Sequence, residues 1–177
     1  MNNPAPERIV DSPNCDERPG GVAVTLLLVH SISLPPGEYG GDAIERLFTN
    51  RLDPQAHPYF KEISALRVSS HFLVRRDAEL VQFVAPERRA WHAGASSWRG
   101  RGGCNDFSIG VELEGTDDSP FEPAQYARLG LLVAQLRSRF PLRDIAAHSD
   151  VAPGRKTDPG TRFDWPLLLA SLSRHNP

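Results

Sequence analysis

The chain has 177 residues, of which 40% are hydrophobic and 24% are charged, and its formal net charge is -2. This length and composition predict a single globular domain, and the small net charge gives no reason to expect nucleic acid or an anionic membrane as a partner. The only cysteines are Cys15 and Cys104, so a disulfide framework is not expected and a reducing, cytoplasmic compartment is the simpler interpretation. Residues 1–21 lack the apolar core of a signal peptide, which predicts an irregular N-terminal arm followed by one domain over 22–177.

Apolar patterns predict a series of strands and helices along the domain. Residues 22–31 are almost continuously apolar and lie between glycine and proline pairs, which favours a strand buried on both faces. The connection 88–106 is long enough to suggest a functional loop. The other expected elements are a small edge pairing at Ile9 and Val10, a helix at 40–50, an antiparallel strand pair at 67–75 and 80–84 with a turn at 76–79, a strand at 107–114, a helix at 122–139, a strand at 143–148 and a helix at 165–172.

The segment 148–160 places an imidazole, an ammonium group and a carboxylate on one loop, in the side chains of His148, Lys156 and Asp158. Its prolines and glycines predict a stiff loop that is neither helix nor strand. Histidine and aspartate are suitable zinc ligands, but two ligands do not make a site. A third ligand and a general base must therefore come from elsewhere in the chain.

The remaining histidines differ in their expected environments. His57 and His175 are expected to be solvated, and His71 to be a hydrogen-bonded core residue. For His92, the sequence supports two interpretations equally: the side chain lines a cleft, or it only packs within the protein. A nucleophilic pair of Cys104 with His71 or His92 is disfavoured, because Cys104 precedes a strand rather than a helix that would lower the pKa of its thiol.

His30 and His148 each end a predicted strand and, with Asp158, form a two-histidine, one-carboxylate set. Such a set is catalytic when its fourth position is left to water, and it leaves iron open beside zinc. Glu112 is the candidate base, because a carboxylate on an otherwise apolar strand either meets a cation or metal-bound water or faces solvent. Lys156 could stabilise an oxyanion, or else form a salt bridge to an aspartate of its own loop.

Five separate blocks of the sequence resemble the zinc N-acetylmuramoyl-L-alanine amidases, in particular the cytosolic ones that act on 1,6-anhydro-muropeptides. This group shares its fold with the peptidoglycan recognition proteins and the phage lysozyme-type amidases. The resemblance covers essentially residues 22–172. The blocks that carry it are 28–37, 67–71, 91–94, 104–115 and 155–160.

The resemblance implies a mixed α/β fold, with a central mixed β-sheet flanked by helices, and one zinc ion per chain. The implied zinc ligands are His30, His148 and Asp158, and the implied catalytic pair is Glu112 and Lys156. The implied reaction is hydrolysis of the amide between the lactyl group of 1,6-anhydro-N-acetylmuramic acid and the L-alanine of the stem peptide. It belongs to peptidoglycan recycling and, in such bacteria, lowers the muropeptide signal that induces β-lactamase.

Substrate contacts are expected from Trp91, which could face the sugar, and from Arg67 or Arg101, which could pair with peptide carboxylates. Packing or a surface salt bridge is the alternative for each. Two positions depart from the family pattern. Ser31, which is also expected to contact the substrate, replaces the asparagine that commonly follows the first zinc histidine. Gly103 stands where a second basic residue is often found, so substrate placement at both positions is open.

Two other functions compete with the amidase. One is a non-hydrolytic muropeptide-binding or sensing module on the same fold, and the other is a metal hydrolase that acts on a non-murein amide. The expected partner is a small-molecule anhydro-muropeptide, with no nucleic acid, membrane or obligate protein partner.

Overall fold

A computed structural model of the chain describes residues 5–174, and the predicted solvated His175 lies outside them. The strands are Arg8–Ile9 (β1), Cys15–Asp16 (β2), Leu26–Ile32 (β3), Phe72–Val74 (β4), Leu80–Gln82 (β5), Arg89–Ala90 (β6), Ser97–Trp98 (β7), Arg101–Gly102 (β8), Ser108–Glu114 (β9) and Asp144–Ala147 (β10). The helices are Ala43–Phe48 (α1), Pro58–Ile63 (α2), Pro123–Arg137 (α3), His148–Val151 (α4) and Trp165–Ser173 (α5), with a 3-10 turn at Cys104–Asp106. No helix within these residues is long and apolar enough to cross a membrane.

The central sheet has six strands in the order β1-β5-β4-β9-β3-β10 and is mixed, as expected. β3 pairs in parallel with both β9 and β10, and β4 pairs in parallel with β9, whereas β4 and β5 form the predicted antiparallel pair. In the β3–β9 register, His30 lies opposite Glu112. Both strands are buried along most of their length, which explains their nearly continuous apolar sequences.

Helices cover both faces of the sheet. On one face, α3 and α5 pack their apolar side chains over β3, β4 and β9, and on the other, α1 and α2 cover β4 and β5. The backbone N–H of Glu122 donates to Gln125 Oε1 at 2.9 Å, and Pro123 occupies the first helical position of α3. Complete burial of a leucine side chain, for example that of Leu129, stabilises the folded state by roughly 1.5–3 kcal/mol.

Two expected elements are shorter than their patterns suggested. The strand predicted over 67–75 is limited to β4, because the N–H of Ser69 donates to Trp91 and the N–H of His71 donates to Gly110, outside the regular β4 ladder. The helix predicted over 40–50 begins at Ala43, after two glycines with positive φ. Positive φ is compatible with glycine but not with an α-helix, so the helix cannot begin earlier.

Three segments carry structure that was not expected. Helix α2 follows His57, whose Nδ1 accepts the N–H of Tyr59 at 3.1 Å, so this half-buried histidine caps a helix instead of being simply solvated. The connection 88–106 contains β6, β7, β8 and the 3-10 turn. The loop predicted from residue 148 begins with α4, because Asp150 Oδ2 accepts the N–H of Ala147 at 2.8 Å.

The N-terminal arm packs on the domain along its described length. β1 adds to the sheet edge beside β5, and β2 pairs with β6, so the arm is less irregular than expected. The Arg18 guanidinium donates to the carbonyls of Asn105, Asp106 and Ser108. Asn14 Nδ2 donates to the carbonyl of Val68 at 2.7 Å. The division of the chain at residue 21 stays a prediction.

Candidate active site

Three side chains from separate elements converge at one edge of the sheet. His30 lies near the end of β3, His148 begins α4 directly after β10, and Asp158 lies on the loop that follows α4. The Nδ1 atoms of the two histidines are 2.9 Å apart, and each lies 3.1 Å from Asp158 Oδ2. His30 is far from the other two residues in the sequence, and the parallel pairing of β3 and β10 brings the ends of these strands together.

The three side chains could hold a metal ion. The Nε2 atoms of both histidines point away from the cluster, that of His148 towards the carbonyl of Ala93 at 3.2 Å and that of His30 towards His92 Nδ1 at 3.0 Å. A neutral imidazole that donates from Nε2 carries a lone pair at Nδ1. Two imidazole nitrogens and one carboxylate oxygen therefore converge as metal donors, which fits a three-ligand site.

The electrostatics of the cluster favour a neutral His30 imidazole beside a charged Asp158 carboxylate. Burial lowers the pKa of His30 to about 4, against the opposing effect of the neighbouring Asp158 carboxylate. Burial raises the pKa of Asp158, but its close contacts with His148 and His30 outweigh burial and hold the pKa well below the usual range. Metal binding needs these same protonation states.

Glu112 lies on β9 beside His30 and is buried, with 8% of its surface exposed. Its Oε2 atom is buried and has no hydrogen-bond partner within the described residues. Burial and the neighbouring Asp158 charge raise the pKa of Glu112 well above its usual value, although Lys156 opposes them. Such an orphaned carboxylate is costly to the fold, and it is the kind of group that serves as a general base.

Lys156 is exposed and lines the same cleft as Glu112 and Asp158. Within the part of the chain that the structure covers, its ammonium group forms no ion pair with Asp150 or Asp158 at 4.0 Å or less, so the alternative of a local salt bridge is not observed. The ammonium group is available to a bound molecule.

The cleft has a volume of about 580 Å³ and two chemically different sides. The metal-ligand set, Glu112 and Lys156 form its polar side. The other side is apolar and comes mainly from α1, α2 and the segment after α2. The apolar residues of this wall are Leu47, Phe48, Tyr59, Ile63, Leu66 and Val68.

Of the four predicted substrate-contacting residues, Ser31 lines the cleft. Its hydroxyl donates to Asp117 Oδ1 at 2.9 Å, and Thr157 donates to the other oxygen of the same carboxylate. Asp117 therefore links β3 to the loop that carries Lys156. The sequence analysis did not predict this link. The position of Asp117, just after the strand that carries Glu112, could have indicated a residue at the site.

The other three predicted substrate contacts lie outside the lining of this cleft as described. Trp91 Nε1 donates to Asp16 at 3.1 Å, and the guanidinium of Arg101 lies 4.0 Å from the centre of the Phe107 ring. Arg67 is exposed and donates to carbonyls of its own segment. The roles of these three residues in substrate binding stay predictions. Gly103 has a φ of 70°, a left-handed conformation in which a basic residue would be strained.

The buried residues His71 and Cys104 have structural environments. His71 Nδ1 accepts the N–H of Gly110 at 3.0 Å, and its Nε2 lies 3.0 Å from the carbonyl of Arg88, as expected for a hydrogen-bonded core histidine. Burial raises the pKa of the Cys104 thiol. A thiol with a raised pKa is poorly nucleophilic, which argues against the cysteine–histidine alternative.

The sequence model of the family described as N-acetylmuramoyl-L-alanine amidase matches residues 20–161. The chain belongs to this amidase family. It is 55% identical over 169 residues to the 1,6-anhydro-N-acetylmuramyl-L-alanine amidase AmpD of Escherichia coli strain K12, covering 94% of this chain and 92% of that protein. The resemblance inferred from the five sequence blocks is thereby confirmed.

Solved structures of amidases share the fold. A crystal structure of a selenomethionine AmpD derivative has a TM-score of 0.92 at 50% identity, covering 97% of this chain and 98% of that chain. The E. coli amidase AmiD in complex with anhydro-N-acetylmuramic acid-L-Ala-D-gamma-Glu-L-Lys has a TM-score of 0.61 at 30% identity, covering 88% of this chain and 60% of that chain. The expected mixed α/β amidase fold is confirmed.

Proposed function

We propose that the protein is a zinc-dependent amidase that hydrolyses the bond between the lactyl group of 1,6-anhydro-N-acetylmuramic acid and L-alanine of the stem peptide. The observation that carries this proposal is the convergence of the Nδ1 atoms of His30 and His148 with Asp158 Oδ2, beside the buried Glu112 Oε2, which has no hydrogen-bond partner within residues 5–174. The 55% identity to AmpD of E. coli supports the substrate class.

His30, His148 and Asp158 would hold the zinc ion, which fits two imidazole nitrogens and one carboxylate oxygen. When bound, zinc would supply Lewis acidity that lowers the pKa of water and polarises the amide carbonyl. The three ligands come from β3, α4 and a loop held by the hydrogen bond from Ser149 N to the Asp158 carbonyl, at 3.0 Å. The fold thus largely sets the positions of the three metal-binding side chains before the metal binds.

Glu112 would act first as a general base and then as a general acid. Its carboxylate takes a proton from the attacking water as the new carbon–oxygen bond forms at the amide carbonyl. Burial raises the pKa of Glu112, so the carboxyl group holds the acquired proton until the alanine nitrogen takes it. The same proton then passes to the alanine nitrogen as the carbon–nitrogen bond breaks, leaving a lactyl carboxylate and a free peptide amine.

Lys156 would stabilise the negative charge that develops on the carbonyl oxygen. Its ammonium group lines the cleft and is not engaged by the aspartates of its own loop. A cation accelerates a reaction most where negative charge develops only in the transition state, because it then stabilises the transition state more than the substrate. The cytoplasmic location and the part in recycling that the sequence resemblance implies stay predictions.

The direct test is to incubate the purified protein with 1,6-anhydro-N-acetylmuramoyl-tripeptide and resolve the products by mass spectrometry. We expect free stem peptide and anhydro-sugar, whose summed mass exceeds the substrate by one water. Cleavage should stop after chelation and return with zinc. Binding of the muropeptide without cleavage would favour the sensing module instead, and cleavage of other amides but not this one would favour a different hydrolase.

A further inference from the structure

A row of hydrogen-bonding groups extends from the metal-ligand set into the protein interior. His30 Nε2 lies 3.0 Å from His92 Nδ1, and His92 Nε2 lies 3.3 Å from the hydroxyl of Ser108. That hydroxyl lies 2.6 Å from the carbonyl oxygen of Cys104. The four residues are all buried, so each polar atom in the row depends on its neighbour.

The direction of donation in this row is fixed from its inner end. The carbonyl of Cys104 can only accept, so the hydroxyl of Ser108 donates to it and presents a lone pair to His92. His92 therefore carries its proton on Nε2 and a lone pair on Nδ1, which accepts the Nε2–H of His30. The lone pair of His30 then lies on Nδ1, the atom 3.1 Å from Asp158 Oδ2.

The ring of His92 has little freedom to leave this position. A Cβ at position 110 would lie 2.5 Å from His92 Nδ1, so the ring lies against β9 only because residue 110 is glycine. His71 packs edge-on against it, with ring centres 5.5 Å apart. The backbone N–H of His92 donates to Asn105 Oδ1 at 3.1 Å, which fixes the start of the side chain.

The second histidine of the set is held in the same way by the next residue. His148 Nε2 lies 3.2 Å from the carbonyl of Ala93, whose own N–H donates to Asn105 Oδ1 at 2.8 Å. The dipeptide His92–Ala93 thus provides an acceptor for the outer nitrogen of each imidazole ligand. Outer partners of this kind set the tautomer and orientation of metal-binding histidines.

We propose that His92 is a positioning residue for the reaction: it accepts the Nε2–H of His30 and thereby keeps the Nδ1 lone pair of His30 directed into the metal site. In this role His92 acts through His30 and not on the reacting atoms, although its ring also lines the cleft. The inference rests on the proposed metal site at His30, His148 and Asp158, and it concerns this chain's own hydrogen bonds.

Two variants separate the acceptor from the bulk of the ring. His92→Phe keeps an aromatic ring but has no acceptor for His30, whereas His92→Asn places its Oδ1 near the position of the lost Nδ1. His57→Asn is the matched control, since it makes the same change at a histidine that caps α2 outside the metal site. The asparagine at position 57 keeps the cap.

The first measurement is zinc affinity, by competition of the zinc-free full-length protein with a chromophoric chelator. We expect zinc to bind His92→Phe 10–100-fold more weakly, the usual effect of losing an outer partner of a histidine ligand. His92→Asn should recover most of the loss, and His57→Asn should match the wild type within about twofold. An unchanged affinity in a folded His92→Phe, or a folded His92→Asn that binds as weakly as His92→Phe, would overturn the proposal.

The second measurement is the tautomer of His30, from long-range proton–nitrogen NMR spectra of the zinc-free protein. We expect the wild type to carry the proton on Nε2 and His92→Phe to show a mixture of both tautomers. If His92→Phe does not fold, the wild-type spectrum decides, and a dominant Nδ1–H form of His30 would overturn the proposal. A protein that binds zinc but cleaves no muropeptide would end the proposed function while leaving both readouts intact.

Discussion

The two halves of the cleft's polar side are built differently. His30 and Glu112 are buried on adjacent central strands, where the packing of the sheet fixes them. Asp158 and Lys156 lie on a partly exposed loop that is held by a few hydrogen bonds. The strand half therefore couples function to the packing of the core, while substitutions in the loop half should act mainly on function.

The largest expected effect is in the loop half. Asp158→Ala should remove bound zinc and turnover together, with a loss of at least about 10³-fold, because the metal supplies several kcal/mol of transition-state stabilisation. The unfolding free energy of the zinc-free protein should fall by roughly 1–3 kcal/mol, because the Asp158 side chain is only 16% exposed and its charge is stabilised by the neighbouring imidazoles.

Metal analysis, activity and urea unfolding of Asp158→Ala check these expectations. Asp77→Ala, in the turn between β4 and β5, is the carboxylate control and should keep metal and activity. Full zinc stoichiometry in Asp158→Ala would remove this residue from the ligand set.

In the strand half, Glu112→Gln should keep its zinc but lose turnover by roughly 10²-fold or more, the usual contribution of a general base. The matched control is Glu114→Gln, two residues along the same strand. Glu114 is also buried, with 2% of its surface exposed against 8% for Glu112, but its Oε1 pairs with Arg75 at 3.1 Å.

The two glutamate variants should have opposite effects on stability. Removing an unpartnered buried charge at Glu112 should leave stability unchanged or raise it, whereas breaking the buried pair at Glu114 should cost roughly 3–5 kcal/mol. Urea unfolding of the zinc-free variants at neutral pH measures both. A destabilised Glu112→Gln would mean that Glu112 has a partner in solution.

Lys156→Met tests the loop half without touching the metal ligands. Turnover should fall by roughly 10–100-fold, less than for a fully enclosed oxyanion donor because Lys156 is exposed. Zinc affinity and stability should not decrease. The control is Lys61→Met, at the exposed lysine of α2. A rise in KM with unchanged kcat would assign Lys156 to substrate binding instead.

The smallest effect concerns pH and the buried His71, which precedes β4 and lies outside the cleft lining. Burial lowers the pKa of His71 to about 3, below the 6.5 of the unfolded chain. Between these values the unfolded state binds a proton that the folded state does not, so this contribution to stability is present above pH 6.5 and is lost on acidification.

From pH 7 to pH 5 the expected loss from one such histidine is about 2 kcal/mol. His71→Asn keeps an acceptor for the N–H of Gly110 but does not titrate, so its stability should depend less on pH by that amount. Urea unfolding at the two pH values measures the difference. Equal pH dependence in the variant and the wild type would show that His71 is protonated in the folded state.

The sequence was most informative where one physical signal dominated. The apolar runs around His30 and Glu112 predicted the central strands, and the five blocks predicted the family and the fold. The irregular segments were harder, because two-residue strands carry little pattern of their own and a strand such as β6 is fixed by a partner far along the chain. The same is true of Asp117 and of the row behind His30, which only the folded structure brings together.

The alignment of His30 with Glu112 across β3 and β9 means that assembling the sheet and assembling the chemistry are one event. If β3 paired with β9 one residue out of register, successive side chains would exchange faces, and the imidazole and the carboxylate would no longer share a side. Such a slip would also turn leucines and valines out of the core. The core packing that disfavours a shifted register therefore also keeps His30 and Glu112 on the same side of the sheet.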